Sequence, residues 1–115
     1  MNVFEAAIEA GKVAHQAARQ AGRYRGAIGA ARDATVAHLV AGGGIVGAIR
    51  SSGGRPPICE GHDVTVTMAD GSRVLVDAGY DSNGPREVWD FLRIYAVGED
   101  GKQGARLAAA GRLKS

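Results

Sequence analysis

Apolar and polar positions follow two different rhythms along this chain. Over residues 2–22 the positions Phe4, Ile8, Gly11, His15, Ala18 and Gly22 recur at the i, i+4, i+7 spacing of one helix face. Beside them runs a stripe of Val3, Ala7, Ala10, Ala14, Ala17 and Ala21, small enough for a second helix to approach closely. Asn2 followed by Glu5 makes an N-x-x-E capping box, and Gly22 is a stop signal. A second helical pattern covers about 27–41, with Ile28, Ala31, Thr35, Val36, Leu39 and Val40 on one side. The short RYRG connection predicts an antiparallel helical hairpin.

The rhythm shortens after Gly42-Gly43-Gly44. IVGAI (45–49) reads as an edge strand, and RSSGGRPP (50–57) is loop by composition. VTVTM (64–68) and RVLVD (73–77) are β-branched runs around Asp70-Gly71, which predicts a tight hairpin. VDAGYDSNGP (76–85) reads as a further loop. EVWDFLRIYAV (87–97) satisfies both periods: Val88, Phe91, Leu92 and Tyr95 suit a helix, while Trp89, Phe91 and Tyr95 alternating with Val88, Leu92 and Ile94 suit a strand. Its aromatic and β-branched density predicts a strand over at least 91–97. GEDGK then turns the chain, which returns through 103–110. The expected fold is α+β, one domain over residues 1–115: an N-terminal helical hairpin packed on a three- or four-stranded, mostly antiparallel sheet. Its helical half spans about 2–49, a loop 50–57, and its β-rich half 58–110.

Composition changes this picture in two ways. The six aromatics are outnumbered by Ala and Gly, so the core is built from small groups that each bury little area. A thin core gains from a partner, which predicts a homo-oligomer, with the alanine stripe as the surface of self-association. The net charge of +2 also hides a segregation. Residues 10–59 hold seven Lys or Arg against one acid, residues 60–100 nine acids against three Arg, and the tail four more bases. The two halves are expected to attract each other, within a chain or between chains. The single cysteine, Cys59, excludes an internal disulfide, and the first residues lack the pattern of a secretory signal, so a cytoplasmic location is expected.

The candidate chemistry is sparse. Gly42, Gly44 and Gly47 fit G-x-G-x-x-G, but too few residues follow to build the crossover helix that a dinucleotide site needs. The uncharged run 34–49 is shorter than a membrane span and contains His38. The glycines are therefore read as a hinge or a close-packing point. No G-x-S-x-G occurs, Gly79 stands where a calcium loop would need an acid, and His15 and His38 are read as packing or capping histidines. No motif calls for a cofactor.

Two clusters remain, together with Trp89. Arg19, Arg23, Tyr24, Arg25 and Arg32 form a basic group around an aromatic, suited to phosphates and a stacked base. Cys59, Glu60, His62 and Asp63, joined by Asp77 across a hairpin, are the raw material of a metal-dependent nuclease or hydrolase. Trp89 is the anchor a protein partner would use if it is exposed. The reading favoured is a small non-enzymatic binding or regulatory protein of inhibitor or adaptor type, such as phages and mobile elements encode. It acts on another protein through Arg19, Arg23, Tyr24, Arg25, Arg32 and Trp89, without a membrane. Nucleic-acid binding through the arginines is the first alternative. A metal-dependent enzyme using His62, Asp63 and Asp77 is the second.

Overall fold

The structure, a computed structural model, describes residues 1–51 and 62–114, and the side chains of 1–47 and 63–114. Two helices come first, α1 (Val3–Gln20) and α2 (Ala27–Ala41). Six strands follow: β1 (Ile45–Ser51), β2 (His62–Thr67), β3 (Arg73–Ser82), β4 (Val88–Val97), β5 (Gln103–Ala109) and β6 (Leu113–Lys114). They form one antiparallel sheet in the order β1-β2-β3-β4-β5, and β6 pairs with β4 beside β5. The class is α+β as expected, but among the described residues the sheet has six strands rather than three or four.

Local chemistry sets the element ends. Asn2 accepts a hydrogen bond from the Glu5 N–H at 2.9 Å and Glu5 accepts from the Asn2 N–H, so the capping box forms. Gly22 takes a positive φ of 78°, and the Arg23 N–H donates back to the Ala18 carbonyl at 2.8 Å, which stops α1. The triple glycine ends α2: Gly43 has φ of 102°, and Gly44 is buried against the Leu39 carbonyl and Val66. Because α2 occupies residues 27–41, no strand precedes these glycines and the dinucleotide reading is excluded. Gly44 is a close-packing point. The Asp70-Gly71 turn forms as read, with Gly71 at φ of 86° and Asp70 accepting from the Ser72 N–H and hydroxyl.

Two stretches expected as loop contain strand instead. Arg50 and Ser51 belong to β1, while residues 52–57 lie outside the described residues. The stretch 78–82 is strand, although Ala, Gly and Asp are poor strand formers. Cross-strand pairing overrides that weakness: β3 runs beside β4 in continuous register from Arg73↔Val97 to Ser82↔Val88, and the Phe91 ring lies over Gly79. The two-residue β6 was not anticipated at all.

Alternation along β4 settles its ambiguity. Asp90, Leu92 and Ile94 are buried on the helix side, while Trp89, Phe91, Arg93 and Tyr95 are only partly covered on the other. The core lies between helices and sheet. Ala7, Ile8, Ile28, Ala31 and Leu39 meet Val64, Val66, Val74, Val76, Leu92 and Ile94 there. At its centre Gly11 lets α1, α2 and β4 touch: an added Cβ would fall within 3 Å of Thr35 Oγ1, Leu92 Cδ2 and the Ala31 carbonyl. One turn further on, buried His15 Nε2 lies 2.7 Å from Asp90 Oδ2. His38 is exposed. No helix among the described residues is long and apolar enough to cross a membrane.

The two close contacts make distinct predictions. Gly11→Ala destabilises by about 1–3 kcal/mol through overpacking, although alanine is the better helix former. Gly29→Ala, also in a helix but with only the Arg32 side chain near its Cβ, stabilises by about 0.5–1 kcal/mol. Urea denaturation of the pair checks this; equal effects would remove the close-approach account. His15→Ala leaves the Asp90 carboxylate buried without its partner and costs about 3–5 kcal/mol. Replacing both residues by leucine recovers most of that loss in the same assay.

Candidate functional site

The helix-free face of the sheet is where unused chemistry collects. Residues that alternate outward on β4 present Trp89, Phe91, Arg93 and Tyr95 in a row. Antiparallel register fixes their neighbours: Tyr95 faces Arg106 on β5, Phe91 faces Gly79, Arg93 faces Asp77, and Trp89 faces Asp81 on one side and Lys114 on the other. Residues Ala110, Gly111 and Arg112 connect β5 to β6, with the Ala110 N–H still donating to the Leu92 carbonyl of β4 at 2.9 Å. They leave a cleft of about 260 Å³ bordered by Trp89, Phe91, Arg93, Arg106, Gly111 and Arg112.

Cations and rings are organised inside this cleft. The Arg112 guanidinium lies over the Trp89 ring, 3.6 Å from its centroid, and also pairs with Glu87. The Arg93 guanidinium lies 4.5 Å above the Phe91 centroid. Contacts of this kind hold an arginine in place while leaving its N–H edges available. Arg106 has no ion-pair partner among the described residues. The cleft therefore offers two stacked guanidinium groups and a third without a counter-charge, which suits an anionic group.

A carboxylate pair stands in the middle of the same face. The register Val64↔Val76 brings Asp63 and Asp77 opposite each other, as the sequence implied for residues flanking a hairpin. Burial first, and the facing Asp63 carboxylate second, push Asp77 from its ordinary 3.8 up to about 7, against the pull of Arg93. Asp77 can therefore take or release a proton near neutrality, beside an Asp63 whose Oδ1 is buried without a hydrogen-bond partner among the described residues. Among the described residues no group of three His, Cys, Asp or Glu side chains is close enough to hold a metal ion. Cys59 and Glu60 lie outside the described residues, and of His62 only the backbone is described, in register with Ser51.

The arginine cluster is assembled only in part. Arg23, Tyr24 and Arg25 are exposed in the turn between the helices, and the Arg19 guanidinium lies 5.0 Å from the Tyr24 ring. Arg32 is turned to Asp33, which accepts from its Nε and Nη2 at 3.0 and 2.9 Å. Trp89 belongs to the sheet, on the face turned away from the helices, so the residues named together from sequence divide between two surfaces. Phe91, Arg93, Arg106 and Arg112 were missed. Strand alternation around Trp89 signalled the first two; the β5 and β6 registers that deliver the others have no local signature. No protein-family model, curated protein or solved structure matches the chain.

The Asp63–Asp77 pair predicts a pH effect of fixed sign. Between about pH 4 and 7 folded Asp77 holds a proton that the unfolded chain has released, so its contribution to stability declines as pH rises through that window. Asp77→Asn abolishes this decline. The variant is more stable than the parent at pH 8, and the margin shrinks toward pH 4.5. Urea titrations at both pH values check it; a margin independent of pH would refute the raised Asp77 proton affinity.

Proposed function

We propose that this chain is a small non-enzymatic binding and regulatory protein, of inhibitor or adaptor type, that holds another protein on the helix-free face of its sheet. One observation carries the reading. The row Trp89, Phe91 and Tyr95 stands on the side of β4 away from the helices, with guanidinium groups stacked on two of its rings. Trp, Tyr and Arg are the residues that most often dominate binding energy at protein interfaces. Here the three aromatics and Arg93 sit on a paired strand rather than a loop, so little of their side-chain freedom remains to be lost on association.

Nucleic-acid binding through Arg23, Tyr24 and Arg25 is supported by their exposure at the turn between the helices. The two readings use different surfaces and separate cleanly by mutation. In affinity capture from the native cell, the parent protein and the Arg23→Ala/Arg25→Ala variant retain the same stoichiometric protein after nuclease treatment. Trp89→Ala, with its fold checked by circular dichroism, retains about thirtyfold less, the loss of one strong interface anchor. Capture that disappears with nuclease, or that survives Trp89→Ala unchanged, overturns the proposal.

A further inference from the structure

The cleft beside Trp89 restricts what such a partner brings to the surface. Its border holds three arginines and no acid, although Glu87 just outside it pairs with Arg112 and Asp77 on β3 faces Arg93. Arg106 is exposed, stands opposite Tyr95, and has no counter-charge among the described residues. Lys114, opposite Trp89, adds a fourth cation to the same edge. Glu87 offsets Arg112 and Asp77 faces Arg93, so Arg106 and Lys114 are the cations left without an ion-pair partner, among the described residues, beside a pocket about 260 Å³ in volume. Gly111 on the rim has nothing within 4 Å of the position of an added Cβ, so the mouth is open there.

The surroundings discriminate between kinds of anion. A few residues away on the same face stand Asp63, Asp77 and Asp81, the last directly opposite Trp89. A nucleic acid carries charge at every step, so a strand running across this face would lay phosphates over those carboxylates. The Trp89 and Phe91 rings are also each covered on one side by a guanidinium, which limits them as stacking platforms. A peptide can place its acids only where the cleft is and neutral residues elsewhere.

On this basis, and resting on the protein-binding reading above, we propose that the cleft between β4, β5 and β6 is a carboxylate-binding site that receives an acidic segment of the partner protein. Arg106 supplies the planar pair of donors for one carboxylate. Arg112, exchanging Glu87 for the incoming group, supplies a second, and Trp89 packs beside the segment's backbone. Aspartate or glutamate at spaced positions is the recognition element.

The test uses the full-length protein and an oligoglutamate peptide with blocked ends, followed by the single indole N–H signal of Trp89 and the arginine Nε–H signals in NMR. The peptide shifts the Trp89, Arg106 and Arg112 signals saturably, and affinity falls steeply with salt. Arg106→Ala weakens binding by about tenfold, the worth of one charge-assisted contact. Arg106→Lys recovers only part of it because the ammonium lacks the two-pronged geometry. Arg23→Ala/Arg25→Ala binds as the parent does. An oligoglutamine peptide binding equally well, no shift at the highest peptide concentration, or unchanged affinity in Arg106→Ala overturns the proposal. A single-stranded oligonucleotide that shifts the same signals more strongly than the peptide replaces the acidic segment with nucleic acid. A captured partner with no peptide binding sinks only the carboxylate site. Peptide binding with no captured partner sinks the protein-partner reading and leaves the site standing.

Discussion

Three elements meet at Gly11. With no side chain there, the Thr35 hydroxyl of α2 and the Leu92 side chain of β4 both reach the backbone of α1. Thr35 is itself fully buried and donates to the Ala31 carbonyl, so its polar group is satisfied inside the contact. A chain whose core is made largely of alanine and valine has little area to bury per residue. It must bring its layers close to gain enough contact. Gly11 and, at the far end of α2, Gly44 are places where the layers approach too closely for a Cβ.

This contact also determines what the rest of β4 can do. Once Leu92 points at α1, alternation sends Asp90 and Ile94 inward and Trp89, Phe91, Arg93 and Tyr95 outward. A slip of one residue would exchange the two sets and bury arginine against the helices. The His15–Asp90 pair guards the same register, because only Asp90 in the inward position reaches His15. Position and chemistry on the outer face thus depend on packing from the inner one.

Charge is distributed differently in space than along the chain. The basic first half and acidic second half were expected to attract each other. Among the described residues the Lys and Arg pairs stay within one half: Lys12 with Glu9, Arg32 with Asp33, Arg112 with Glu87. His15 with Asp90 alone joins helix to sheet. The sheet carries its own division instead, with acids on β2 and β3 and cations along β5 and β6. That division underlies the proposed preference for a ligand with localised rather than continuous negative charge.

Local signals carried much of this structure. Asn2 and Glu5 marked the start of α1, the 3.6-residue rhythm gave both helices, Asp70-Gly71 gave one hairpin, and aromatic alternation after Trp89 gave β4. Each of these depends on neighbours within a few residues, so the sequence is sufficient. The pairing of Asp63 with Asp77 was also legible, because a tight hairpin leaves little choice of register. The strand at 78–82, the strand β6, the His15–Asp90 pair and the cleft formed by Arg93, Arg106 and Arg112 were not legible. Gly79 is held extended by Phe91, twelve positions later, and Arg106 reaches the cleft only because β5 shifts register against β4. Composition and periodicity determined the α+β class and most element positions. Long-range pairing decided which face each aromatic and arginine occupies, because the energy that selects a register comes from partners distant in sequence.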